Sequence, residues 1–271
     1  MDNRPIGVFD SGLGGLTAVK KLMELLPGED IVYFGDTGRV PYGSRSRETI
    51  IKYTRQDIAF LRSFNIKAVL AACGTVSTTS LDFVAGDLAI PSFGVVKAAA
   101  LKASNVTKNG KIGLIGTVAS IKSHKYEDLI KACLPNAEVV GVACPLFVPL
   151  VENGRIHRGD VVIETVANEY LAPLREKCVD TLILGCTHYP LIAGIIGDIM
   201  GENVVLVDPG AEAAKFLANE LAETNRLNER TSGGSYSYYV SDSTDGFSEL
   251  ASLFLENDVM GEVKQVSLDS F

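Results

Sequence analysis

Residues 67–75 read KAVLAACGT and residues 180–188 read DTLILGCTH. Each is a short apolar run that ends in a cysteine and is followed by threonine and a segment able to start a helix. Runs that are apolar throughout are read as strands buried on both faces, the state of a strand in a parallel sheet covered by helices. Each half of the chain also opens alike, with IGVFDSG beginning at Ile6 and IGLIGTVAS beginning at Ile112. From Ile6 to Cys73 is 67 positions and from Ile112 to Cys186 is 74. Similar internal distances favour two related lobes, each placing one thiol at the carboxyl end of a strand, where open α/β sheets build their binding crevices.

Outward from these segments, apolar runs alternate with longer segments of helical periodicity, the pattern of βα units feeding a mainly parallel sheet. The fold class is α/β, with two pseudo-symmetric domains, each a mainly parallel sheet flanked by helices, and an active site in the crevice between them. Strands are expected at Ile6 to Phe9, Ile31 to Phe34, Ala68 to Ala72, Lys111 to Ile115, Val139 to Ala143, Thr181 to Leu184 and Val204 to Val207. Helices are expected over Leu16 to Leu26, Glu48 to Phe64 and Val161 to Lys177. The final stretch, with SYSYYVSDS and FSELASLFL, follows the second cysteine unit and is placed to return to the first lobe. The expected domains are therefore 1–96 plus 209–271, carrying Cys73, and 97–208, carrying Cys186.

At 271 residues the chain is near the length at which one core divides into two, and 46% hydrophobic against 21% charged residues is the balance of a globular protein. A formal charge of −8 leaves no basic surplus for a phosphate backbone, so nucleic acid is not an expected partner. MDNRPIGVFDSG lacks a secretory pattern and no apolar run reaches spanning length, so a cytoplasmic protein without a membrane segment is expected. Five cysteines are an odd count in a long chain and are expected to be free thiols. There is no C-x-x-C, and Cys186-Thr187-His188 supplies two ligand types without a second pair at structural-zinc spacing, so no metal is expected.

Cys73 and Cys186 differ from Cys133, Cys144 and Cys178 in ending buried strands ahead of a helix, where backbone N–H groups and the helix dipole favour a thiolate. The other three read as packing residues. Two thiols facing one crevice suit the transfer of a proton between the faces of one carbon, because that reaction needs acid/base groups on both sides. The loop Asp10-Ser11-Gly12-Leu13-Gly14-Gly15 allows close backbone approach and can face an anion, but Thr17 breaks the dinucleotide pattern. Asp10 either caps the turn or assists Cys73. Tyr42 and Gly43, in GDTGRVPYGSRS, offer a hydroxyl and an N–H. His188 lies two residues beyond Cys186, and Glu152 follows the strand-like run PLFVPLV as a carboxylate near the crevice.

Taken together, DSGLGG, GDTGRVPYG, ACGT, ACPLFVPLVENG and LGCTHYPLI resemble the glutamate racemases, in that order and across essentially the whole chain. The resemblance implies interconversion of L- and D-glutamate without pyridoxal phosphate, metal or other cofactor, supplying D-glutamate for peptidoglycan. It implies acid/base roles for Cys73 and Cys186 with Asp10, Glu152 and His188 in support. Substrate contacts are implied for Asp10, Ser11, Tyr42, Gly43, Thr75, Thr187 and His188. Many such proteins are homodimers. One position departs: the family commonly has Cys-Asn-Thr where this chain has Cys73-Gly74-Thr75, so a side-chain amide is missing and altered affinity for glutamate is expected. The competing readings are an aspartate racemase using the same thiols, a cysteine hydrolase or lyase with His188 as base, and an amino-acid-binding protein without catalysis.

Overall fold

Ile6–Asp10 is buried at all five positions and forms the strand around which the first sheet is laid down. The computed structural model describes residues 1–245, 247–256, 261–269 and 271. In chain order the first half runs β1 (Ile6–Asp10), α1 (Leu16–Leu25), β2 (Ile31–Gly35), α2 (Arg47–Arg62), β3 (Ala68–Ala71), α3 (Gly74–Thr79), α4 (Leu81–Ala85), β4 (Ser92–Gly94) and α5 (Val95–Val106). It continues β5 (Lys111–Gly116), α6 (Val118–Lys122), α7 (Lys125–Cys133), β6 (Glu138–Ala143), α8 (Phe147–Glu152), α9 (Val161–Glu176), β7 (Thr181–Gly185), α10 (Ala193–Met200) and β8 (Val205–Val207). The chain closes with α11 (Pro209–Glu223), β9 (Tyr236–Val240), α12 (Phe247–Leu255) and β10 (Val263–Gln265).

The strands form a six-stranded sheet in the order β10-β9-β2-β1-β3-β4 and a four-stranded sheet in the order β6-β5-β7-β8. Every pairing is parallel. In both sheets the opening strand is flanked by the next strand on one side and by the cysteine-delivering strand on the other. The chain thus reverses direction across the sheet at β1 and again at β5, and a crevice forms at the carboxyl ends beside such a reversal. One apolar cluster joins Ile6, Val8 and Leu70 of the first sheet to Ile112, Leu114 and Ile183 of the second through α5 and α11. The expected cut at 96/97 falls inside α5. The outer faces pack separately, against α2 and α4 in one half and against α8, α9 and α10 in the other.

Local signals set the helix ends. Ser46 accepts from the Thr49 N–H at the start of α2, and Asp208 accepts from Gly210 and Ala211 ahead of α11, with Pro209 at the first position, where a missing N–H is harmless. The seven strands expected from the sequence are present as β1, β2, β3, β5, β6, β7 and β8. The run PLFVPLV is corrected: Phe147–Glu152 is α8, not a strand. Phe147 and Val151, one turn apart, are the residues it buries, and Pro149 sits in the first turn, where its N–H would have had no acceptor. The stretch SYSYYVSDS contains β9, which pairs with β2 and so returns the C-terminal segment to the first sheet. No described helix is long and apolar enough to cross a membrane.

Lys67, at the start of β3, is fully buried. Its Nζ lies 2.5 Å from Glu29 and donates to the carbonyls of Asp2 at 2.7 Å and Arg226 at 2.8 Å. It fastens the N-terminal segment and the turn after α11 to the sheet. Replacing it leaves Glu29 buried without its cation, so Lys67→Ala is expected to cost about 3–5 kcal/mol of unfolding free energy in urea denaturation. A loss below about 1 kcal/mol would contradict this role.

Candidate active site

Four strand ends converge on one cavity of roughly 300 Å³, at the small end of ligand sites. Strand β1 delivers Asp10 and Ser11, β3 delivers Cys73 with Gly74 and Thr75, β5 delivers Thr117, and β7 delivers Cys186, Thr187 and His188. The loop after β2 adds Tyr42 and Gly43. The ten expected residues Asp10, Ser11, Tyr42, Gly43, Cys73, Gly74, Thr75, Cys186, Thr187 and His188 all line this cavity. Glu152 does not; it reaches the site through His188.

Cys73 is buried, and its Sγ–H points to Ser11 Oγ at 3.5 Å. It caps the N-terminus of α3, as foreseen, yet the thiol is not shifted toward the thiolate. Burial and then the Asp10 carboxylate push it well up, outweighing the N–H groups of Val76 and Ser11. Asp10 holds the turn and the thiol together: its Oδ2 accepts from the Gly15 N–H at 2.8 Å while the carboxyl also meets Cys73. Burial raises Asp10 above the usual carboxylate range, and the His188 charge, the Gly15 N–H and the Cys73 contact offset only part of that.

Cys186 has a different partner. His188 Nδ1 lies 3.8 Å from Cys186 Sγ, and His188 Nε2 lies 3.0 Å from Glu152 Oε1. Burial opposes the imidazolium, but the contacts with Cys186 and Glu152 prevail and push His188 up to about 10. The chain after Cys186 forms a 3-10 turn at Tyr189–Ile192 and enters α10 only at Ala193, so the expectation of a helix dipole at this thiol is corrected.

Other expectations change in detail. The Tyr42 hydroxyl donates to Asp36 and lies 3.0 Å from Asp57 Oδ2, so it is engaged by these buried carboxylates rather than offered to the crevice. Arg39 bridges the same two buried carboxylates, at 2.7 Å from Asp36 and 3.1 Å from Asp57. Cys133 and Cys178 are exposed rather than packed; Cys144 is buried. Cys144 also lines the cavity, with its thiol pushed up to about 12 by burial. Thr117 was not singled out from the sequence. Its Oγ1 lies 3.2 Å from Thr75 Oγ1 across the crevice, and its place in IGLIGT matches that of Ser11 in IGVFDS, which was the available signal.

The missing side chain at Gly74 has a structural counterpart, since a Cβ there would lie 2.6 Å from the Gly185 carbonyl oxygen. Apart from thiols and tyrosines, the ionisable lining consists of Asp10 and His188, which sets one acid and one cation among hydroxyls and backbone. Among the described residues no cluster of three or more His, Cys, Asp or Glu side chains is arranged to hold a metal ion.

Residues 6–217 match the Asp/Glu/hydantoin racemase family. The chain belongs to this family. Among relatives of this racemase-family chain, the glutamate racemase of Geobacter metallireducens is 44% identical over 267 residues, covering 98% of each chain. That of Thermoanaerobacter pseudethanolicus is 46% identical over 255 residues, covering 94% of each. The crystal structure of the Francisella tularensis glutamate racemase in complex with D-glutamate superposes with a TM-score of 0.92 at 42% identity over the whole of both chains.

The charge on Glu152 helps to keep the His188 imidazolium above its ordinary range, so Glu152→Gln is expected to lower the His188 titration midpoint from about 10 toward 6.5. Nitrogen NMR of histidine-labelled protein reads this directly. An unchanged midpoint would remove Glu152 from the causes of the shift.

Proposed function

We propose that this chain is a cofactor-independent glutamate racemase in which Cys73 and Cys186 serve opposite faces of the substrate α-carbon. The observation that carries the reading is the placement of two thiols at matching strand ends of two like-ordered sheets, both opening on one small cavity. In one direction Cys73 passes its proton to Asp10 and abstracts the α-hydrogen as the thiolate, while Cys186 donates to the opposite face and is replenished by His188. In the other direction the roles exchange. The α-carbon loses one proton and gains one, while Asp10 ends protonated and His188 neutral; exchange with solvent takes the proton from Asp10 and returns one to His188 before the next pass in the same direction.

The weak acidity of an α-hydrogen must be offset by groups already oriented toward the developing charge. Ser11, Thr75, Thr117 and Thr187 hydroxyls and the N–H groups of Gly43, Thr75 and Thr187 are the donors proposed for the two substrate carboxylates. The absence of Lys and Arg from the lining fits a zwitterion held by neutral donors rather than a phosphorylated ligand. The same reading assigns 1–96 plus 209–271 and 97–208 as the two lobes, a cytoplasmic homodimer as the working form, and D-glutamate for peptidoglycan as the product used.

Cys73→Ala and Cys186→Ala are each expected to lower racemisation by about 10²–10⁴-fold or more, the range for losing a positioned acid/base group. Circular dichroism of each glutamate enantiomer follows the reaction. Full activity in either variant would overturn the two-thiol reading.

A further inference from the structure

His188 belongs to the loop after β7, yet two of its packing partners come from the other half of the molecule. The ring of Phe254, on α12, meets the imidazole edge to face, with centroids 5.3 Å apart and planes at 87°. Gly14, in the turn between β1 and α1, runs so close that a Cβ there would lie 2.2 Å from Thr187 Oγ1 and 2.7 Å from His188 Nδ1. Phe254 is itself buried, and α12 packs on α1, so the helix and the glycine turn approach His188 as one unit.

We propose that Phe254 and Gly14 form a cross-lobe clamp that orients the His188 ring, making Phe254 a positioning residue for proton transfer at Cys186. The inference rests on the reading of His188 as the partner of Cys186. The imidazole must satisfy two directions at once, Nε2 toward Glu152 and Nδ1 toward Cys186. The Glu152 side chain is 40% exposed, and a carboxylate on a solvated side chain does not fix a ring plane. Rotation about Cβ–Cγ moves Nε2 less than Nδ1, so the solvated carboxylate can follow Nε2 while Nδ1 leaves the thiol. The perpendicular Phe254 ring and the bare backbone at Gly14 stand against this rotation. Because the clamp comes from the lobe of β1 and the imidazole from the lobe of β7, the Cys186 relay is complete only when the two lobes are together.

The test compares Phe254→Leu, which keeps an apolar side chain without the ring, with Phe254→Tyr, which keeps the ring, and with His188→Gln. Phe254→Met repeats the first comparison should the Leu variant fold poorly. L- and D-glutamate are equal in free energy, so kcat/KM is the same in both directions for every variant, and isotope effects must make the distinction. Racemisation is measured from α-deuterated L- and α-deuterated D-glutamate. If transfer at Cys186 is slowed, the isotope effect rises for the enantiomer that Cys186 deprotonates and falls for the other, since the substrate deuterium crosses the slow step in only one direction.

For Phe254→Leu the expected result is a kcat lowered on the order of tenfold, KM changed by less than about twofold, and an isotope asymmetry of the same sense as in His188→Gln. Phe254→Tyr is expected to restore wild-type isotope effects. An asymmetry in His188→Gln with none in Phe254→Leu would overturn the clamp alone. A symmetric response in His188→Gln would remove the pairing of His188 with Cys186, and the clamp with it.

Discussion

Gly74 lies so close to Gly185 that an added Cβ would stand 2.6 Å from the Gly185 carbonyl oxygen, and this contact sets how near the two cysteine-bearing strand ends come to each other. Cys73 immediately precedes one glycine and Cys186 immediately follows the other. Thr75 and Thr117 bridge the halves beside it at 3.2 Å, and a Cβ on Gly43 would meet Thr117 at 3.1 Å. A carbon served from two faces needs both thiols at fixed separation, because errors of an ångström in such placement cost orders of magnitude in rate. Gly74 thus allows a direct backbone approach that a side chain at this position would obstruct.

Around this fixed spacing the two thiols have unlike surroundings. Cys73 is enclosed beside a carboxylate, and burial dominates there, raising thiol and carboxyl together. Cys186 is half-buried beside an imidazole whose contacts with sulfur and Glu152 outweigh burial and hold its proton. On the proposed reading, one end of the relay is thus arranged around an acceptor and the other around a donor. The chemistry tolerates this inequality, since the group that abstracts in one direction donates in the other.

The sequence was most legible where burial was most complete. The interiors of β1, β3, β5 and β7 are apolar because helices cover both faces, and their echo exposed the paired thiols. β4 and β10 span three residues each, as β8 does, but each holds a single apolar side chain where β8 is an all-apolar run, so neither could be read as a strand. α8 reads as a strand because its six residues are nearly all apolar, and only the turn-spaced burial of Phe147 and Val151 reveals the helix. The cavity lining was legible as a set of motif positions, but the direction of the Tyr42 hydroxyl depends on Asp36 and Asp57, and Asp57 lies on a helix with no motif of its own. The upward shift of Cys73 was equally out of reach, because a strand-end position reveals the helix dipole and not the depth of burial that overrides it. Cys133 and Cys178 show the converse, since cysteine is commonly buried and these two are exposed.

The crevice is proposed to exchange the α-hydrogen of glutamate with solvent through protein thiols alone. Incubating the protein with L-glutamate in D₂O without added cofactor, while following optical rotation and α-deuterium by NMR, tests it most directly. The expected result is loss of rotation with deuterium appearing at the α-carbon of the D-glutamate formed. Retention of rotation with no deuterium at the α-carbon would contradict it.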